Sequence, residues 1–394
     1  MKRVKKITDT EILNEVTETL SQYISIRTIS TQINTPSFLR TLAGIAAERS
    51  SIEAFATKFE DGLTARQMRY HLGKFELPEM EGILNQALQH HVPRSISRRS
   101  AFYKFAMDLN EHPYHGSPYQ EANEIRRGKA KSGTTHFHVY ATIYLIKRGK
   151  RYTLAIKYVR KGDRLVDIVQ ALLKQVVALG FKIRRLFLDR GFYSVAIIEY
   201  LQQTGIPFVI PVVRRGRKGT DGKTKVERLF KGHKSSIADY TLKTVKDKRE
   251  MAVTFKLYII VKSLKGKDGQ RHRVYFAYCL SDEKLPIKRI YNEYRLRFGI
   301  ETSYKKKNES LPRTSSRNPV LRLLYTGVSL FLVNTWIFIT WKFLSQKRQG
   351  TRRLLTSEFI YERFCELLFN ALKEIFKFRP KIECPAEELT SYAT

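Results

Sequence analysis

Between residues 101 and 213 the spacing of apolar residues changes from two to about four and back, which leaves few folds open. Tyr103, Phe105 and Met107 alternate with Lys104, Ala106 and Asp108, the period of a half-buried strand. Residues 137–146 and 152–159 read as two more strands, and Lys147-Arg-Gly-Lys150 between them suits a hairpin turn. Across 163–179, Leu165, Ile168, Val169, Leu172, Val176 and Leu179 fall on one helical face, and Gly180 supplies the stop. An apolar strand over 183–188, a short helix over 194–203 and a strand over 207–213 follow. Three strands, helix, strand, helix, strand is an α/β order, expected to give a mixed sheet flanked by helices.

Different patterns flank this core. Residues 1–98 read as helical. Ser51 precedes Ile52, Phe55, Ala56 and Phe59 at helical spacing, Asp61-Gly62 breaks the run, and Thr64 and Gln67 are spaced like a capping box. Helix, glycine turn and a helix carrying Arg66, Arg69 and His71 is the layout of a helix-turn-helix reader over 51–75; an ordinary helical hairpin reads the same way. A basic stretch, Val92-Pro-Arg-Ser-Ile-Ser-Arg-Arg-Ser100, looks like a linker to the core, which begins at 99. Residues 214–283 open with Arg214-Arg-Gly-Arg-Lys-Gly and alternate around 254–261 and 274–280, a β-rich insertion with turns such as Lys265-Gly-Lys-Asp-Gly269. The last part of the core, 284–345, and a C-terminal region, 346–394, read as mostly helical.

Lys and Arg total 72 against 37 Asp and Glu, a net charge of +35 spread along the whole chain. That much self-repulsion has no stability rationale, so a polyanionic partner is the economical reading, with a long nucleic-acid track favoured over one basic anchor. Cys279, Cys365 and Cys384 have neither zinc nor disulfide-framework spacing, and fit a reducing cytosol. The basic N-terminus has no apolar run after it, so no signal peptide is read. Residues 323–341 are nearly free of charge and long enough to span a membrane. They also hold Thr326, Ser329, Asn334, Thr335 and Thr340, and a helix packed on all sides inside a large core looks the same, so no membrane is expected.

Acidic residues that end apolar strands in so basic a chain are the candidates for chemistry. Asp189 follows the 183–188 strand in Leu-Asp-Arg-Gly-Phe-Tyr, at the edge where α/β sheets place functional groups, although Asp after a strand is also a common turn former or helix cap. Asp108 ends the first strand by the same reading. Glu301 lies on a charged helix: at about 100° per residue, Tyr294, Arg297, Glu301, Lys305 and Asn308 share one face. Such a stripe is either a solvated face with an ion pair or an acid set among groups suited to phosphate.

The runs around Asp108, Asp189-Arg-Gly-Phe-Tyr193 and Tyr294-x-x-Arg297-x-x-x-Glu301 together resemble the three carboxylate motifs of insertion-sequence transposases. More narrowly they resemble the group with a Tyr-Arg-Glu-Lys signature, archaeal relatives included. The likeness covers about 101–345, with Arg313-Thr-Ser-Ser-Arg-Asn-Pro-Val-Leu-Arg-Leu as a further family-like stretch. The commonest signature has Lys seven positions after the Glu, where this chain has Asn308; Lys305, on the same face, is the candidate to replace it.

The resemblance implies a ribonuclease-H-like fold, with Asp108 on the first strand, Asp189 after the fourth and Glu301 on the helix after the insertion. It implies that Asp108, Asp189 and Glu301 hold two Mg²⁺ ions, or Mn²⁺, to activate a water or 3′-hydroxyl and stabilise the leaving oxygen. His112 and His115 are expected outside the ligand set, since oxygen suits these ions better. Arg297 and Lys305 would position phosphates, Tyr294 would stack beside a nucleotide or simply pack, and Arg190, Arg66 and Arg69 are further DNA contacts. The expected partners are the element's terminal inverted repeats and target DNA, bound by a homodimer at the cytoplasmic nucleoid. A nuclease or resolvase without strand transfer, or a DNA-binding relic, shares most of these features.

Overall fold

The computed structural model describes residues 6–381 apart from 31–32, 94–95, 97–100, 118–122, 148–150, 215–219, 221, 231–233, 247, 267, 282–284, 349–350 and 355–358. Most of the expected linker before Ser100, the turn around Gly149, most of the run after Arg214, and Cys384 lie outside the described residues. The chain forms two compact units. One comprises Met1–Ile83, Lys306–Trp336 and Leu344–Thr394; the other comprises Leu84–Lys305 and Ile337–Phe343.

The second unit is built on one nine-stranded sheet. Its strands are β1 (Phe102–Pro113), β2 (Arg126–Lys131), β3 (Thr134–Ile146), β4 (Thr153–Val159), β5 (Lys182–Leu188), β6 (Phe208–Pro211), β7 (Ser236–Lys246), β8 (Arg249–Lys265) and β9 (Arg271–Leu280). β3 pairs with β1, β2 and β4, and from β1 the sheet continues through β5, β6, β9, β8 and β7. Only β1–β5 and β5–β6 are parallel. β3 and β4 are buried along almost their whole length, as strands covered on both faces must be. Helix α6 (Leu165–Ala178) packs on β3 and β4, and α7 (Val195–Gln203) packs on β7 and β8. Helix α8 (Ile287–Arg295) is joined to α9 (Gly299–Asn308) by a single 3₁₀ turn, Leu296–Phe298. From these two helices Ile290, Tyr294, Ile300 and Tyr304 pack with Ala106, Tyr144, Phe187, Val209, Tyr258 and Tyr278 of the sheet in one buried cluster.

The mixed sheet flanked by helices is therefore present, with three departures from the sequence reading. β2 falls outside the expected strands, because pairing with β3 rather than its own apolar content makes it a strand. β1 does not end at Asp108: its antiparallel pairing with β3 carries it on to Pro113. The β-rich segment precedes the helices as expected, and its strand β9 pairs with β6, so it extends the main sheet. The stretch from Tyr294 to Asn308 is not one continuous helix, because the 3₁₀ turn resets the phase between α8 and α9.

The other unit is mainly helical. Among its elements are α1 (Asp9–Ser21), α2 (Thr35–Ala47), α3 (Ile52–Ala56) and α4 (Ala65–Leu72), and the last is followed by α5 (Leu77–His90). A long helix α10 (Pro319–Phe343), a β10–β11 hairpin (Ser345–Arg348 and Thr351–Leu354) and α11 (Tyr361–Ile375) come later, so the C-terminal region is not wholly helical. α1, α2 and α11 pack together. Gly44 lets α2 approach closely, since a Cβ there would stand 2.3 Å from Phe55 and 2.6 Å from Leu372. The Thr64–Gln67 capping box is formed. A helix-turn-helix over 51–75 is not: α3 is a five-residue helix, and residues 57–64 separate it from α4, where a turn of about 3–4 residues is usual. His71 is buried, while Arg66 and Arg69 are exposed.

α10 is long and apolar enough to cross a membrane, yet 89% of its most apolar window is buried within the protein. Its Thr326, Ser329 and Thr335 hydroxyls donate to carbonyls four residues back, which satisfies them inside the core.

Candidate active site

The parallel register of β1 and β5 ends at Met107 opposite Leu188, so the next residues, Asp108 and Asp189, come side by side. By the two-residue period of a strand, Asp108 shares a face with Ala106 and Asp189 with Phe187, and both of those belong to the cluster under α8 and α9. β5 stops where the backbone turns into a 3₁₀ segment, Arg190–Phe192, with the Phe192 amide donating to the Asp189 carbonyl at 3.0 Å. The Asp189 side chain caps nothing and is 42% exposed, which disfavours the helix-cap reading. Glu301 occupies the first turn of α9 with its side chain half exposed.

Arg297, in the turn between α8 and α9, joins the three acids. Its Nη1 donates to Asp108 Oδ2 at 3.0 Å, and its Nη2 lies 3.1 Å from Glu301 Oε1 and 3.5 Å from Asp189 Oδ1. The guanidinium also lies 5.6 Å from the ring centre of Tyr294 and 5.4 Å from that of Phe298. Burial pushes the Asp108 carboxyl up to about 6, against the pull of Arg297 and with help from Asp189 and Glu301. Burial works against the Arg297 charge, but Tyr294 and the three acids outweigh it and move its pKa up.

Three residues hold the helices over β1, β3 and β5. Tyr294 is buried, and its hydroxyl donates to the Leu188 carbonyl at 3.2 Å, fixing α8 to the end of β5. Glu293 accepts from Arg185 at 2.9 Å and pairs with Lys104 at 2.6 Å, tying α8 to β5 and β1. The Tyr304 hydroxyl shares a 2.6 Å hydrogen bond with Thr142 Oγ1 and reaches the Asp108 carbonyl at 3.5 Å, tying α9 to β3 and β1.

The structure thus brings together Asp108, Asp189, Glu301 and Arg297. Tyr294 packs against Phe187 and Tyr278 in the core, in line with the packing alternative of its two readings. Arg297 is buried and pairs with the carboxylates. Lys305 is exposed on α9, and His112 stacks edge-on against Tyr140 at 4.8 Å. Arg66 and Arg69 belong to the other unit.

A cleft of about 810 Å³ opens beside the acids, lined by Asp189, Arg190, Arg214, Tyr275, Arg295 and Phe298 among others. Arg214, Tyr275, Arg295 and Phe298 escaped the sequence reading. The interleaving of basic and aromatic residues from Tyr291 to Phe298 was the signal that could have found two of them.

Among the described residues no three His, Cys, Asp or Glu side chains form a ready-made metal cluster. The cation at the meeting point of the three acids is the guanidinium itself. Carboxylate oxygens are the donors that hard divalent ions prefer, and the spot already attracts positive charge, so the donor set fits such an ion.

A cryo-EM structure of a piggyBac transposase synaptic complex with hairpin DNA is similar to this chain, with a TM-score of 0.53 and 13% identity over 96% of this chain and 81% of that one. At that identity the likeness shows the fold alone. No curated protein sequence matches the chain. The family model for the transposase DDE domain matches residues 123–319, a segment that takes in Asp189, Arg297 and Glu301 and begins after Asp108. With half its length inside that match, the chain belongs to the transposase DDE domain family, and its activity is that of a DDE transposase.

Proposed function

We propose that this transposase cuts the terminal inverted repeats of its own element and joins the freed 3′-hydroxyls to target DNA, as a member of the Tyr-Arg-Glu-Lys-like insertion-sequence group. The observation that carries the reading is the convergence of Asp108, within β1, Asp189, just after the neighbouring parallel strand β5, and Glu301, on α9, around the Arg297 guanidinium. Asp108, Asp189 and Glu301 would hold Mg²⁺, with Mn²⁺ as substitute and two ions per site. Bound there, the metal supplies a polarised oxygen nucleophile and charge relief for the leaving oxygen.

The chain's own residues do the rest. The acids draw cations to one point beside the cleft, where Asp189 lines it, and Asp108 is largely buried. Arg190, Arg214 and Arg295 along the cleft place DNA phosphates, with Phe298, 43% exposed, offering an apolar edge to sugar or base. Lys305, exposed four residues beyond Glu301, contacts flanking DNA in the role of the signature lysine. The net charge of +35 supports binding to two DNA ends and a target at once, as a homodimer would require.

The test is Mg²⁺- or Mn²⁺-dependent cleavage of DNA carrying the element ends, comparing wild type with Glu301→Gln. Cleavage lost in the variant with DNA binding retained supports the reading; equal cleavage by both refutes it. Pre-cleaved ends offered with target DNA then separate strand transfer from simple hydrolysis.

A further inference from the structure

The unit made of Met1–Ile83, Lys306–Trp336 and Leu344–Thr394 holds a second cleft of about 420 Å³ that the carboxylate chemistry does not use. Its walls are Arg69 and Leu72 of α4, Ser51 and Ile52 at the start of α3, and the extended segment from Arg313 to Asn318, with Leu321 and Tyr325 of α10 behind them. That segment is firmly placed. The Arg313 amide donates to the Ser50 carbonyl at 2.9 Å, and the Arg322 guanidinium takes the carbonyls of Thr314 and Ser316. Its Ser315 side chain and the Arg313 guanidinium stay exposed.

Tyr325 shows that the cleft awaits a polar group. The residue is 2% exposed, and its hydroxyl has no hydrogen-bond partner among the described residues. Arg69, on the facing wall, is near enough to act on that hydroxyl electrostatically. A buried hydroxyl without a partner costs stability, so its place in a cleft lined by two arginines calls for an external acceptor. Glu53 pairs with Arg69 and offsets one of the two positive charges; Arg313 keeps its own facing the opening.

We infer that this cleft is a DNA-backbone subsite: Arg313 and Arg69 take a phosphate, the Tyr325 hydroxyl donates to one of its oxygens, and Ile52, Leu72 and Leu321 contact the attached deoxyribose. The inference rests on DNA being the substrate, and it assigns the family-like run Arg313-Thr-Ser-Ser a role separate from catalysis. Contacts to phosphate and sugar position the duplex without reading its sequence.

The test measures binding of a duplex carrying the element ends to the full-length protein by fluorescence anisotropy across a salt series. Wild type, Arg313→Ala, Tyr325→Phe and Glu301→Gln are compared. Arg313→Ala should weaken binding about tenfold and lower the salt-dependence slope by about one. Tyr325→Phe should weaken binding about fivefold while its melting temperature stays level or rises, since it deletes a hydroxyl that is unpaired in the free protein. Wild-type affinity and slope in Arg313→Ala, or a lower melting temperature with intact binding in Tyr325→Phe, would overturn the subsite. Weaker binding in both variants beside a protein that never cleaves would leave the subsite standing and sink the catalytic reading; no DNA binding by wild type would sink both.

Discussion

Arg297 Nη1 meets Asp108 Oδ2 at 3.0 Å, joining two residues 189 positions apart in sequence. Asp108 is the most enclosed of the three acids, its side chain 13% exposed against 42% for Asp189 and 51% for Glu301. Arg297 therefore matters most to the acid that water helps least, and that asymmetry shapes the first two predictions.

Replacing Arg297 by Ala should destabilise the metal-free protein by roughly 3–5 kcal/mol, the usual cost of leaving a buried charge without its partner. Adding Asp108→Asn should recover more than half of that loss. Chemical denaturation of the two single variants and the double variant checks it; strictly additive effects would show that the pair is not coupled.

Stability should depend on pH through Asp108. Its folded pKa of about 6 lies above the 3.8 of an exposed aspartate, so between those values the folded state binds more protons than the unfolded one. Stability then falls as pH rises from about 4 to about 6, by roughly 3 kcal/mol at most, from the pK-unit conversion. Without metal, wild type should gain melting temperature relative to Asp108→Asn on going from pH 7 to 5. Parallel curves would contradict the buried state of this carboxyl.

Tyr294→Phe separates packing from DNA contact. Loss of the hydrogen bond to Leu188 should cost about 0.5–1.5 kcal/mol, with DNA affinity unchanged. Weakened DNA binding at undiminished stability would favour the nucleotide-stacking alternative for Tyr294.

At Gly44 the expected change is steric. A methyl group 2.3 Å from the Phe55 ring forces α2 away from α3 and α11, so Gly44→Ala should cost about 1–3 kcal/mol. Differential scanning calorimetry reads this directly, and an unchanged melting temperature would mean that the three helices have slack.

The parts legible in sequence were those whose local pattern agrees with their surroundings. β5 is apolar and covered, α6 carries a clean stripe ended by Gly180 at φ +77°, and Asp189 follows directly from β5. The missed parts depend on distant partners. β2 is Arg-Arg-Gly-Lys-Ala-Lys and is a strand only because β3 lies beside it. β1 runs five residues past Asp108 for the same reason. Nothing local in Arg295-Leu-Arg-Phe announces the 3₁₀ turn, so a uniform helical wheel placed Arg297 on a stripe with Lys305. The turn instead buries Arg297 and leaves Lys305 exposed.

The hydrogen bonds of β9 to β6, from Val209–Leu280 to Pro211–Tyr278, have a mechanical consequence. β6 pairs in turn with β5, whose last residue adjoins Asp189. The β7–β8 ribbon, paired from Ser236–Ile259 out to Lys246–Arg249, is thus a cantilever clamped at its root, not a flap on a hinge. Its outer part carries exposed Val245 and Met251. A load applied there bends a continuous ladder of strands that leads to the cutting centre, so whatever the ribbon grips is held at a fixed distance from the bond to be broken.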